Sequence, residues 1–308
     1  MQAFVGITDE EWFDLLASQP GIDEANFWQP SGSRGFKALQ PGEPFLFKLH
    51  SPNNFIVGGG FFAHSTLLPV SLAWESFGVA NGATTLTEMR MRVEKYRRVP
   101  SNPVDDYTIG CILLEQPFFF RREDWIPIPS DWKSNIVQGR GYDLSEEPGK
   151  SLWLQVQARL VGRSAPDALP MVAEPVQFGA PVLVRPRLGQ GSFRVLVTDA
   201  YQRRCSMTGE KTLPVLEAAH IQGVAQGGSH SVSNGLLLRA DLHTLFDRGY
   251  LTVTPDYRVE VSRRIREEFS NGRAYYALHG NSIERPSLAE FTPAPNALKW
   301  HNEHVFRG

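Results

Sequence analysis

Between residues 217 and 247 the chain reads Glu217-Ala-Ala-His220-Ile221, then Gly227-Gly228, Asn234-Gly235, and Asp241-Leu-His243-Thr-Leu-Phe-Asp247-Arg-Gly249. These residue types suit phosphodiester hydrolysis. An attacking water must lose a proton, which calls for a base that titrates near neutrality, as imidazole does. Negative charge grows on the phosphoryl and leaving oxygens, which calls for a cation. His220, at the end of a predicted strand, suits the base. His243 and Asp247 are four apart, so on a helix they share a face and can grip one divalent ion. Asn234 ends a loop, where its amide can tie the loop down and hold the histidine's orientation. Taken singly, each residue has a simpler reading. A lone histidine is more often a satisfied or surface residue. Asp247 could close a helix by bonding to a turn. Asp241 reads as a first-turn charge favoured by the helix dipole. The order of the whole set is what points to a site. His230, in the loop, is assigned no role.

The elements that must position these residues are predicted as strand, loop and helix. A strand is expected over 213–221, a Gly/Ser/His-rich loop follows, and a helix is expected over 237–247. A helix at 193–201 precedes them and a strand at 250–253 follows.

This arrangement resembles the HNH, or ββα-metal, nuclease family over about 45 residues, Cys205 to Gly249. His220, Asn234 and His243 take the three motif letters in order. The lead-in Cys205-Ser206-Met207-Thr208-Gly209 and the ending Leu242-His243-Thr244-Leu245-Phe246-Asp247-Arg248-Gly249 are similar to one branch common in restriction-type proteins. The resemblance implies a His220 general base and one divalent ion held by His243 and Asp247. Mg²⁺ is expected, with Mn²⁺, Ni²⁺ or Co²⁺ also compatible with imidazole and carboxylate ligands. One position departs from the pattern. Many HNH proteins carry a metal-binding Asp or His just before the base, and here that residue is Ala219. In a strand Glu217 points to the same side as Ala219 and has a longer reach, so it is expected as a ligand or as support for one. The paired cysteines that bind zinc in some HNH proteins are absent, so no structural zinc is expected.

The rest of the chain bounds what such a site serves. With 308 residues, two domains of ordinary size are expected. No apolar run approaches the ~20 residues of a membrane span. The N-terminus lacks a basic region before an apolar stretch, so a secretory signal is not expected. Cys111 and Cys205 are the only cysteines. They stand far apart, which argues against a disulfide scaffold and makes a reduced cytoplasmic location the default. The formal net charge of −2 rules out a polycation, so any nucleic-acid binding must come from local patches. One candidate patch is the basic run Arg90 to Arg98, whose simpler reading is a solvated helix face.

Residues 1 to about 20 predict a short helix, with Thr8 and Glu11 as a capping box. Residues 26–162 read as β-rich, with strands at 45–49, 55–62, 109–114, 136–138 and 152–160. Helices are expected at 69–77 and 87–98. Gly58-Gly59-Gly60 permits a bulge or a close backbone approach. Five prolines punctuate 163–191, which reads as an extended linker. The expected parts are therefore a domain over 1–162, a linker over 163–191 and a second domain over 192–308, in an α+β protein.

The order Asn26-Phe27-Trp28-Gln29-Pro30-Ser31, then Phe36 to Phe47, then Ile56-Val57-Gly58-Gly59-Gly60 resembles the EVE branch of the PUA superfamily. That resemblance implies a small N-terminal β-barrel that binds modified or flipped bases. Joined to an HNH domain, it implies a modification-dependent (type IV) restriction endonuclease acting on double-stranded DNA with modified cytosine, 5-methyl or 5-hydroxymethyl. Trp28, Trp74 and Tyr142 are the candidates for stacking on such a base. Ser31, Asn81 and Gln138 are the candidates for polar contacts. For any one aromatic, core packing is the commoner fate, and Asn81-Gly82 can also be read as a turn. A helix-borne site with one base cuts one strand, so a double-strand break implies a homodimer. Two other readings compete: a nucleic-acid reader whose HNH motif is inactive, favoured by Ala219, and an unselective HNH nuclease.

Overall fold

A computed structural model describes residues 1–32, 35–97, 102, 105–163 and 189–308. The chain divides into two compact units, Met1–Pro186 and Arg187–Gly308. Most of the predicted linker, 164–188, lies outside the described residues, as does Arg98 of the basic run.

The first unit is built on seven strands. They are β1 (Gln2–Thr8), β2 (Glu24–Gln29), β3 (Pro44–Leu49), β4 (Phe55–Pro69), β5 (Thr108–Phe119), β6 (Ile126–Pro127) and β7 (Gly139–Asp143). The path runs β2-β5-β4-β3-β1-β7, with β6 beside β4. All neighbours are antiparallel except β1 and β3, which run parallel. The sheet curls strongly. β2 and β3 are three strand spacings apart, about 14 Å if flat, yet the Phe27 and Phe45 rings are 4.7 Å apart. A barrel-like wall therefore surrounds an aromatic core of Trp12, Phe27, Phe45 and Phe47. The glycine run does what its composition suggests. Two register shifts break β4 against β5, and a Cβ on Gly58 would stand 2.2 Å from the Phe118 carbonyl.

Among the described residues of this unit four α-helices accompany the sheet: α1 (Glu10–Ala17), α2 (Val70–Phe77), α3 (Leu86–Tyr96) and α4 (Gly149–Arg163). Residues 2–8 form strand β1 rather than the start of a helix, because Gln2–Thr8 pairs on both sides, with β3 and with β7. Helix α1 then begins at Glu10, Asp9 stands at its N-cap, and no side-chain capping bond forms. Residues 152–160 are helical, not a strand. Leu152 and Val156 are both buried and four apart, the spacing of a helix stripe. Residues 136–138 precede strand β7 instead of forming one.

The second unit carries α5 (Gln190–Ala200), β8 (Leu216–His220), β9 (Gly235–Arg239), α6 (Ala240–Asp247), β10 (Leu251–Val253), β11 (Val259–Val261), α7 (Arg264–Phe269), α8 (Arg273–Tyr276) and α9 (Pro295–His304). Residues 237–239 were expected within the helix over 237–247, and with Gly235 and Leu236 they form the second strand of a hairpin instead. Leu236, Leu237 and Leu238 are all fully buried, so this short run serves both faces of a strand packed between helices. The result is strand, loop, strand and helix. Cys111 and Cys205 are buried and unbridged. Among the described residues no helix is long and apolar enough to cross a membrane.

Candidate active site

Strands β8 and β9 pair antiparallel, with His220 opposite Gly235. The missing side chain at Gly235 matters. A Cβ there would meet Val197 Cγ2 at 2.5 Å and Phe193 Cζ at 3.0 Å. Without one, α5 packs close and lays the Phe193 ring on His220, with centroids 3.9 Å apart and planes within 10°. This fixes the plane of the His220 imidazole. Burial pushes that imidazole down to about 4, helped by the charges of His230 and His243. His220 is therefore neutral at pH 7 and free to accept a proton. His230, which the sequence offered no reason to choose, places Nδ1 3.0 Å from His220 Nε2.

Asn234 is 6% exposed and works as a clamp. Its Oδ1 accepts from the Gln222 amide at 3.0 Å. Its Nδ2 donates to the Gln222 and Ser229 carbonyls at 2.8 and 2.9 Å. The loop between β8 and β9 is thus closed upon itself by one side chain.

On α6, His243 Nδ1 is 2.7 Å from Glu217 Oε2, and Nε2 is 3.3 Å from Asp247 Oδ2. Glu217, His243 and Asp247 stand in file. Among the described residues no three His, Cys, Asp or Glu side chains converge on one point. The donor set nonetheless suits a divalent ion. An ionised Glu217 can only accept, so Nδ1 carries the proton and donates to it. In neutral His243 that leaves the Nε2 lone pair facing a carboxylate oxygen, an arrangement that a cation between them relieves. The 3.3 Å separation is near the about 3.0 Å between adjacent ligands that each lie about 2.1 Å from an ion. Glu217 then orients the imidazole through its far nitrogen, as second partners of metal-bound histidines do. Burial holds the Asp247 carboxyl above its usual range, against the pull of His243. Asp241 forms a bidentate pair with Arg239, both contacts at 2.7 Å, and is not part of this file.

Residues 205–254 match the HNH endonuclease family. The HNH segment thus spans the hairpin, the clamp, all of α6 and strand β10. Two solved structures are similar to longer stretches. One is the crystal structure of ASCH from Zymomonas mobilis, at 10% identity and TM-score 0.32, covering 50% of this chain and 94% of that one. The other is the modification-dependent TagI restriction endonuclease, at 12% identity and TM-score 0.29, covering 98% of this chain and 81% of that one. No curated protein matches the chain.

The first unit holds a cavity of about 1100 Å³. Of the six residues expected in a base pocket, Trp28, Ser31 and Gln138 line it. Trp74, Asn81 and Tyr142 do not. Trp74 is half-buried on α2. Asn81 is fully buried, accepts from Asn26 Nδ2 at 2.8 Å, and donates to the Ala73 and Gly78 carbonyls. Its own carbonyl receives the Trp28 indole N–H at 3.0 Å, so Asn81 holds Trp28 rather than a ligand. Tyr142 packs with Val5, Leu152 and Val156 in a separate core, bonded to Asp131 at 3.2 Å.

The cavity also presents Asp9 and His50, which the sequence did not single out, and Tyr96 and Arg97 from the end of the basic run. His50 and Tyr96 lie parallel, within 4°, and the Tyr96 hydroxyl donates to Asp9 at 2.5 Å. These residues come from a loop, a helix end and a helix cap, so no local pattern links them. Arg92 and Arg97 of the basic run are partly buried and bonded within the unit, while Lys95 is exposed. Arg92 pairs with Glu88 at 2.7 Å and donates to the Gly82 carbonyl, while Arg97 donates to the Pro30 carbonyl.

Proposed function

We propose that this protein is a divalent-metal-dependent DNA endonuclease directed by base modification. The observation that carries the nuclease reading is the Glu217–His243–Asp247 file, within electrostatic reach of a neutral, Phe193-stacked His220, inside the segment that matches HNH endonucleases.

In this reading His220 takes the proton of the attacking water. His243 and Asp247 would hold the ion, with Glu217 fixing the His243 ring. When bound, Mg²⁺, or Mn²⁺, Ni²⁺ or Co²⁺, supplies positive charge for the phosphoryl and leaving 3′ oxygens. Asn234 keeps the loop closed so that His220 holds its orientation. The N-terminal cavity receives a flipped cytosine bearing a 5-methyl or 5-hydroxymethyl group. Flipping costs a few kcal/mol, which stacking and edge hydrogen bonds offset. Trp28 offers the flat face, with its N–H already engaged, and Ser31 and Gln138 offer polar edges. The EVE-like order of residues 26–60 and the cavity's position among those residues support this part. A double-strand break then takes two copies, so the working form is a homodimer.

Digestion of plasmids carrying cytosine, 5-methylcytosine or 5-hydroxymethylcytosine, with Mg²⁺ or Mn²⁺, tests the whole reading. Cleavage confined to modified plasmid is expected. Equal cleavage of all three would make this an unselective nuclease. No cleavage of any would favour a reader with an inactive HNH segment, the reading that Ala219 before His220 supports.

A further inference from the structure

His220 and His230 face each other across the loop between β8 and β9. Their nitrogens are 3.0 Å apart and their rings are inclined by 66°, an edge-on approach that suits a hydrogen bond. Two neutral imidazoles at this distance share one proton, so one ring donates and the other accepts. Phe193 covers a face of the His220 ring and His230 occupies its Nε2 edge. Among the described residues Nδ1 makes no hydrogen bond, so that is the in-plane position for a water. For Nδ1 to carry a free lone pair, Nε2 must carry the hydrogen and donate it to His230.

We propose that His230 is a positioning residue for the general base: it accepts the Nε2–H of His220, leaves Nδ1 as the nitrogen that takes the water's proton, and steadies the imidazolium that results. This rests on the nuclease reading. The proton balance is simple. One O–H bond of water breaks, one N–H bond forms at Nδ1, and the Nε2–H stays in its bond to His230. His220 then carries one positive charge, and that bond becomes charge-assisted, about twice as strong as a neutral one. A buried imidazole needs such help, since burial disfavours its charged form, and His230 gives it only as a neutral acceptor, because a charged His230 would push His220 further down.

The loop is built to hold this pair. Asn234 bonds Gln222, two residues after His220, through both backbone groups, and bonds the Ser229 carbonyl beside His230. The Asn234 amide also donates to the Ser231 carbonyl on the other side of His230, and its carbonyl receives the Ile221 amide. One residue thus couples the strand end that bears His220 to the turn that bears His230. A loop latch with no bearing on the base would need neither nitrogen at this distance.

Imidazole ¹H–¹⁵N spectra of the full-length protein test this directly, with His220 assigned from its loss in His220→Ala. Wild type is expected to show His220 in the Nε2–H form. His230→Ala should lose that preference, and His230→Asn, whose Oδ1 can accept, should restore it. Single-turnover cleavage with Mn²⁺ should fall about 10- to 100-fold in His230→Ala with unchanged DNA affinity, and recover in His230→Asn. An unchanged His220 tautomer in His230→Ala would overturn the proposal, as would wild-type cleavage by that variant. If wild type cuts nothing, the nuclease reading fails, while the tautomer still decides whether His230 sets the state of His220.

Discussion

His220 and His243 are the same residue type a short distance apart, and their neighbours give them different work. His220 has an aromatic face and another imidazole around it, which keep it neutral. His243 lies between two carboxylates, which suit it to a cation. Replacing His220 by Ala should reduce cleavage by about 10²–10⁴-fold, the usual worth of a general base. DNA affinity, measured by fluorescence anisotropy, should hold; an active His220→Ala enzyme would mean that another group takes the proton. In the cavity, Trp28→Ala should lower the preference for modified over unmodified oligonucleotide by about 5- to 150-fold, since stacking on an aromatic is worth about 1–3 kcal/mol. Asn81→Ala should act in the same direction through Trp28, but with a lower melting temperature as well, because it leaves Asn26 without its 2.8 Å acceptor in a fully buried site.

Elements position these residues by close approach. The hairpin β8–β9 packs against α5, α6 follows it directly, and Gly235 permits the contact with α5. Gly235→Val should cost about 1–3 kcal/mol of stability as an overpacked site and displace Phe193 from His220. Chemical denaturation and near-ultraviolet circular dichroism would report the two effects separately. Helix α9 is held to the same core through His301. Its ring stacks on Phe246 at 3.7 Å, Nε2 bonds the Phe246 carbonyl at 3.2 Å, and Nδ1 meets the Thr252 hydroxyl at 2.8 Å. Burial pushes His301 down to about 4. In the unfolded chain it titrates near 6.5, so below that pH the unfolded state gains a proton that the folded state refuses. The stability His301 contributes is present above about 6.5 and lost as pH falls toward about 4. Unfolding free energies from urea titrations at pH 7 and pH 5 should therefore differ more for wild type than for His301→Gln, by about 2 kcal/mol. Equal pH dependence in both proteins would assign the acid sensitivity elsewhere.

At the scale of the whole molecule, each unit has its own core. The second unit buries Phe193, Leu216, Leu237, Leu242, Phe246 and Leu298 in one cluster. A fragment of residues 189–308 should therefore fold alone, melt in one cooperative transition, and cut modified and unmodified plasmid at equal rates. The intact chain should prefer the modified one. If the fragment keeps the preference, the cavity of the first unit is not the reader.

The candidate-site residues could be picked out in the sequence because the segment that matches HNH endonucleases holds them in one short run. Strand end, loop and helix spacing then follow from local periods. The same locality made the β4 glycine bulges and helices α2 and α3 readable. What the sequence left open was set by distant partners. Residues 2–8 became a strand because β3 and β7 bracket them, and Leu236-Leu237-Leu238 became β9 because β8 needed a partner. Tyr142 and Asn81 left the pocket list because core packing and a buried amide network claimed them. His50, Tyr96 and Asp9 entered the cavity from separate elements, and no spacing rule links them. His230 gained its meaning only from a 3.0 Å contact across a folded loop. Sequence alone determined which groups could do chemistry within one turn or one strand. The tertiary structure decided which groups from distant segments face one another, because that depends on packing and not on period.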